Sequence, residues 1–158
     1  MSVSDELVFD RTQTDIGRIK QLRAKGWQRM TEAERAEYLL PHKGAYNASD
    51  LNRVGEAILY VANRLKAAGN AVEVSPKTDW TREDIPSPAQ LAHYLEQIRK
   101  VRSVLAVYQT TPAVPTDMDG LTHGEANDIE KILVDVDQLI TNMMAAYFYS
   151  GELYGGEV

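Results

Sequence analysis

Three long segments repeat apolar residues at alternating spacings of three and four, and this rhythm constrains the fold more than any other feature of the chain. In the first segment the apolar stripe consists of Leu51, Val54, Ile58, Val61 and Leu65. Such spacing is typical of one face of an α-helix. The same rhythm runs through residues 91–108 and 129–147. Narrow stripes favour helices that cross at small angles, so we predict an all-α helical bundle.

Helix-starting and helix-ending residues predict where these helices lie. Capping boxes begin at Ser87 and Thr122, ahead of the second and third stripes. Two shorter N-terminal helices are expected, one at about residues 14–25 and one from Thr31 to just before Pro41. We predict ordered loops at residues 69–86 and 110–121. The first of these loops is expected to include an extended piece at residues 71–74. The expected fold has three long and two short helices, with Trp27 and Trp80 closing the ends of the bundle.

Length and composition narrow the class of protein. A chain of 158 residues is expected to form one domain, spanning 1–158. Its formal net charge of -6 argues against a nucleic-acid surface, and it has no cysteine for disulfides or thiolate metal sites. We find no signal peptide and no apolar stretch long enough for a bilayer. We therefore expect a protein folded in a cytoplasm, with no membrane and no nucleic-acid partner.

The sequence shows no recognisable catalytic or metal-binding motif. His42, His93 and His123 are isolated from one another, and no HExxH, GxSxG or phosphate-loop pattern is present. We therefore expect no enzymatic activity, no catalytic residue, no metal and no cofactor.

A short pattern occurs twice, at the heads of the first and third long helices. Asp50 and Asn52 are separated by one residue, and Glu125 and Asn127 have the same separation. The apolar stripe that follows begins at the same distance from each asparagine. Two explanations are open. Each asparagine could bond neighbouring backbone at the helix start, or its amide could bond across helices and select a partner.

The C-terminal residues 147–158 are rich in aromatic residues and glycine, and we treat them as a glycine-broken assembly tail. The apolar side chains concerned are Tyr147, Phe148, Tyr149, Leu153 and Tyr154. They could fold back on the bundle, or they could anchor a neighbouring subunit.

Several blocks of the chain resemble a known family. "FDRTQTDIGRIKQL", "KGAYNASDLNRVGEAILYVANRL", "MDGLTHGEANDIEKIL" and "YFYSGELYGGEV" are similar to tail- and baseplate-region structural proteins encoded by phages and prophages of Gram-positive, often gut-dwelling bacteria. In that family a helix often begins with the pattern N-x-[IV]-E. Asn127, Ile129 and Glu130 fit this spacing, whereas Gly55 follows Val54 where a Glu belongs in the first copy.

The resemblance implies a structural or adaptor component of a virion, most often of the tail or baseplate, assembled in the bacterial host cytoplasm. Its partners would be other virion proteins and further copies of itself in a homo-oligomer, and it implies no cofactor. The alternative is a small bacterial helical adaptor or regulatory binding module. The residues predicted at interfaces are Asn52, Asn127, Glu130, Tyr147, Phe148, Tyr149, Leu153 and Tyr154.

Overall fold

A computed structural model describes residues 5–155, with side chains as far as Tyr147, and in that range the chain is helical with no strand. The helices are α1 (Gln13–Lys25), α2 (Glu32–Leu39), α3 (Ala48–Ala67), α4 (Pro88–Val104) and α5 (His123–Gly155), with a 3-10 turn at Trp27–Arg29. The predicted bundle of three long and two short helices is confirmed.

Capping residues set most helix boundaries. Each of the first four helices begins with a complete capping box, at Thr12, Thr31, Asn47 and Ser87. At the start of α5, the Glu125 N–H donates to the Thr122 hydroxyl over 3.1 Å, and the Thr122 N–H donates to the Glu125 carboxylate over 2.9 Å. The helix starts predicted at Thr31, Ser87 and Thr122 are therefore confirmed, because these polar groups satisfy N–H groups that have no partner inside the helix.

Three local expectations are corrected. Helix α4 stops at Val104, and Leu105 is already extended, so the chain turns back before Tyr108. Helix α5 does not break at Gly151 but continues to Gly155. Trp27 does not close an end of the bundle: it is 46% exposed and packs edge-on against Tyr38 of α2. Trp80, in contrast, is buried in the main core.

Helices α3 and α5 run in the same direction. Near the start of both helices, Arg53 contacts Glu130, and further along both helices Arg64 contacts Asp137. The contacts therefore advance together along the two helices, which only parallel neighbours do.

Helix α4 points the same way. At its beginning Tyr94 meets Tyr46, which directly precedes α3, and just after its end Tyr108 meets Asn142 of α5. Parallel helices cannot be joined by tight turns, so the chain must travel back along the bundle twice. Residues 71–80 form the first return segment and residues 107–118 the second.

The three stripes fill one core inside the chain. The α3 stripe packs against Tyr94, Leu95, Ile98 and Val101 of α4 and against Ile129, Ile132, Leu133, Val136 and Ile140 of α5. All of these side chains are buried. The narrow stripes are thus covered by one another.

The first two helices form a small separate unit, here called the N-terminal lobe (residues 13–45). Its own core consists of Ile19, Leu22 and Met30, with Tyr38 and Ala45 packed against them. The end of the lobe returns against its start so closely that a Cβ on Gly44 would stand 2.1 Å from the carbonyl oxygen of Asp15. Glycine is therefore required at position 44 for packing.

Candidate functional site

The first asparagine of the repeated pattern binds the backbone of the first return segment. The Asn52 side-chain amide donates to the carbonyl oxygen of Trp80 over 2.9 Å, and its oxygen accepts from the Trp80 N–H over 2.8 Å. The side chain therefore pairs with one residue in the way that a neighbouring β-strand would, using both its donor and its acceptor.

The second asparagine does the same with another segment. The Asn127 oxygen accepts from the N–H of Arg11 over 2.9 Å, and its amide donates to the Arg11 carbonyl oxygen over 3.0 Å. Residues 7–11, here called the N-terminal arm, are held in this way against the head of α5. Leu7 of the arm is buried in the main core.

The repeated pattern thus has a structural meaning. In both copies the acid, Asp50 or Glu125, completes a capping box, and the asparagine two residues later clamps a passing backbone. Neither amide bonds to a facing helix, so the hypothesis that they select a helix partner is replaced by this clamp. The clamp needs both amide atoms, which explains asparagine rather than aspartate at these positions.

Gly55, where the first copy departs from the family pattern, has its own explanation. A Cβ at this position would lie 2.8 Å from the carbonyl oxygen of Lys77 and 3.0 Å from the Cγ2 of Thr78. The first return segment therefore crosses α3 in contact with Gly55. Along α3, Gly55 lies less than one helical turn beyond Asn52, which clamps the same segment.

Beside the Asn127 clamp lies a group of four charged side chains, here called the ion cluster: the buried Arg11, Asp50 and Glu130 and the partly buried Arg53. Glu130 is fully buried. Its carboxylate forms an ion pair with Arg11 at 2.6 Å, and it accepts hydrogen bonds from Arg53 over 2.7 and 3.1 Å and from the Val8 N–H over 3.0 Å. Asp50 accepts from both arginines, over 3.1 and 2.7 Å. Two positive and two negative charges therefore balance inside the protein.

The surroundings of the ion cluster reinforce these pairs. The Arg11 guanidinium lies 5.5 Å from the centre of the Tyr46 ring. Burial alone lowers the pKa of the Arg53 guanidinium, but its hydrogen bonds to Glu130 and Asp50 outweigh this and raise that pKa above its ordinary value. Burial also raises the pKa of the Tyr46 and Tyr94 phenols, whose hydroxyls bond to each other, so both stay protonated.

Other helix side chains hold the return segments in the same manner. The Gln97 oxygen accepts from the Ser75 N–H over 2.8 Å, and the Arg99 guanidinium donates to the Pro115 carbonyl over 2.8 Å. Asp135 accepts from the Thr111 hydroxyl over 2.7 Å. Because no strand is available in residues 5–155 to pair with this extended backbone, polar side chains on the helices take its place.

A cleft of about 400 Å³ separates the N-terminal lobe from the head of α3. Apolar and aromatic side chains of both parts line it, among them Ile19, Tyr38, Leu51 and Trp80. The cleft also has two arginines, Arg23 from α1 and Arg82 from the loop after Trp80. Neither guanidinium has a hydrogen bond or ion pair to any residue that the structure describes.

The end of α5 presents the other notable apolar surface. Tyr147 is 72% exposed and Met144 is 45% exposed. The fold-back alternative is therefore wrong for Tyr147, which lies outside the core. The side chains of Phe148, Tyr149, Leu153 and Tyr154 lie outside the described part of the chain.

The predicted interface residues consequently divide into two groups at opposite ends of α5. Asn52, Asn127 and Glu130 lie together at the helix heads, where they bind segments of the same chain. Tyr147 lies at the far end, where it is the last predicted interface residue whose side chain the structure describes. Glu130 has no exposed surface in this arrangement, and its contacts with Arg11 and Val8 are not visible in the sequence because they join residues more than 110 positions apart.

Comparison with known proteins finds no matching family model, no matching curated protein and no matching solved structure. Within residues 5–155, three or more side chains suited to a metal ion do not come together, and no helix is both long and apolar enough to cross a bilayer. The family resemblance stays a prediction.

We expect Asn127→Leu to destabilise the protein by about 1–3 kcal/mol, because the N–H and carbonyl of Arg11 lose their partners while remaining partly buried. Urea unfolding measures this change. Asn63→Leu, an exposed α3 position without such contacts, is the control and should change stability by less than about 0.5 kcal/mol. Equal effects of the two substitutions would contradict the clamp.

We expect Glu130→Gln to cost about 3 kcal/mol, since it leaves two arginines with one buried counter-charge. The N-terminal arm should also loosen, which hydrogen exchange at the Val8 and Arg11 amides can detect. Glu56→Gln, on the exposed side of α3, is the matched control. Unchanged exchange in the arm would show that the ion cluster does not hold it.

Proposed function

We propose that this chain is a structural or adaptor protein that acts through protein–protein assembly, and that it serves in the tail or baseplate region of a phage or prophage virion. Two separate arguments support the two parts of this proposal. The end of α5 supports assembly, and the family resemblance supports the virion setting.

The end of α5 is long and, as far as its side chains are described, exposed. Between Thr141 and Tyr147 no residue of α5 belongs to the main core, yet the helix continues to Gly155. At 1.5 Å per residue this projection is about 20 Å long. Its sequence, "TNMMAAYFYSGELYG", has apolar residues at successive positions around the helix rather than on one stripe. Such helices are normally covered on several sides, so the projection is suited to contact with another protein molecule.

The alternative, a small bacterial adaptor or regulatory module, would use the same surfaces. It differs in what the partner is and in where the protein is found. The cleft beside the N-terminal lobe is the feature that favours it, because a mixed apolar and basic recess can bind a peptide segment of a regulatory partner.

The assembly part is tested by deleting residues 150–158. The thermal midpoint should change little, because the last described core residue of α5 is Ile140. Association measured by light scattering over a range of concentrations should be lost. A large fall in the thermal midpoint would instead place the segment in the fold, and retained association would reject it as the assembly site.

The virion part is tested in particles. When the bacterium that encodes the chain is induced to release phage, purified particles should contain the protein at a fixed ratio to a tail protein, measured by quantitative mass spectrometry. A soluble host protein of similar abundance, washed through the same gradient, is the control. Presence only in the soluble fraction would favour the bacterial adaptor.

A further inference from the structure

The cleft and the end of α5 are the most prominent exposed apolar surfaces among the described residues. Beside the cleft, Ile85 is 91% exposed and Leu40 is 66% exposed, while Tyr147 on α5 is 72% exposed. Leu40 lines the cleft, and Ile85 stands between Asp84 and Pro86, which also line it. The cleft is a recess and the end of α5 is a protruding helix, so the general shape of the helix end suits the cleft.

Their charges are complementary as well. Arg23 and Arg82 are exposed cations without a counter-ion in the described part of the chain. Asp84, the acid in the cleft, is already engaged by the Thr81 N–H over 2.8 Å. Residues 132–158 contain no Lys or Arg, and Glu152 and Glu157 follow the exposed Tyr147. An acidic, aromatic segment is therefore what the cleft is equipped to receive.

The same molecule cannot fill its own cleft with the end of α5. The cleft is at the head of α3, which is level with Glu130 because Arg53 contacts Glu130 there. Helices α3 and α5 are parallel, so α5 leads away from the cleft. At 1.5 Å per residue, Tyr147 is about 25 Å and Gly155 about 37 Å further along the axis. The occupant must come from another molecule.

We propose that the end of α5 from a second copy of this chain docks in the cleft between the N-terminal lobe and the head of α3. The interface is head-to-tail, so each copy offers one cleft and one α5 end, and repetition gives a ring or an open filament. Glu152 and Glu157 give this end of the chain a negative charge, which the positive charges of Arg23 and Arg82 attract. This inference rests on the proposed assembly function and names the receiving site for it.

The test uses two full-length variants and one shortened chain. The cleft variant carries Arg23→Glu and Arg82→Glu, and the control carries Arg29→Glu, an exposed arginine of the lobe outside the cleft. The cleft variant should associate at least about tenfold more weakly than the natural chain, because like charges then meet across the interface. The Arg29→Glu control should associate as the natural chain does.

Mixing gives the decisive measurement. The cleft variant keeps an intact α5 end, and the chain lacking residues 150–158 keeps an intact cleft. Each should be monomeric alone, whereas a mixture should form a one-to-one dimer that grows no further. Sedimentation velocity with one fluorescently labelled component resolves these species.

The remaining outcomes separate the two ideas. If shortening abolishes association but the mixture stays monomeric, the α5 end assembles with something other than the cleft, and only this inference fails. If the shortened chain associates like the natural one, both this inference and the role of the α5 end fail. A natural chain that is monomeric at every concentration also overturns self-docking, while leaving assembly with a different virion protein open to the particle experiment.

Discussion

The pairing of the fully buried Glu130 with Arg11 and Arg53 is the interaction on which the rest of the arrangement depends. It joins the N-terminal arm, α3 and α5 at one point, and Asp50 supplies the second negative charge. Removing any one charge leaves the ion cluster with an unbalanced charge in a medium that stabilises charge poorly. The ion cluster therefore favours the one geometry in which all four side chains meet. This geometry fixes how far α3 and α5 are shifted along each other, and it keeps the N-terminal arm in place.

Parallel helices impose a second constraint, because two long extended segments must run back along them. Extended backbone outside a sheet has N–H and carbonyl groups that need partners. Asn52, Asn127, Gln97 and Arg99 supply them from the helices. These polar helix side chains therefore act as backbone partners, and they hold the return segments and the arm without the ladder of a sheet.

The same parallel arrangement separates the two surfaces suited to assembly. Had α5 run antiparallel to α3, its end would lie at the head of α3, beside the N-terminal lobe and within reach of the cleft. Because it runs the same way, the recess and the projecting helix point in opposite directions, which is the geometry of a contact that repeats from copy to copy. This geometry supports the proposed structural role in an assembly.

The sequence by itself determined the helices and most of their starts, because stripe spacing and capping boxes are local properties that act within one helical turn. It also marked Asn52 and Asn127 as equivalent positions. Only the tertiary structure decided what those asparagines bind and that the long helices are parallel. The sequence alone would equally allow the crossed pairs of an antiparallel arrangement, Arg53 with Asp137 and Arg64 with Glu130, in place of the pairs that the structure has. The choice depends on contacts between distant residues, such as Val8 with Glu130, whose energy exists only when the whole chain is folded.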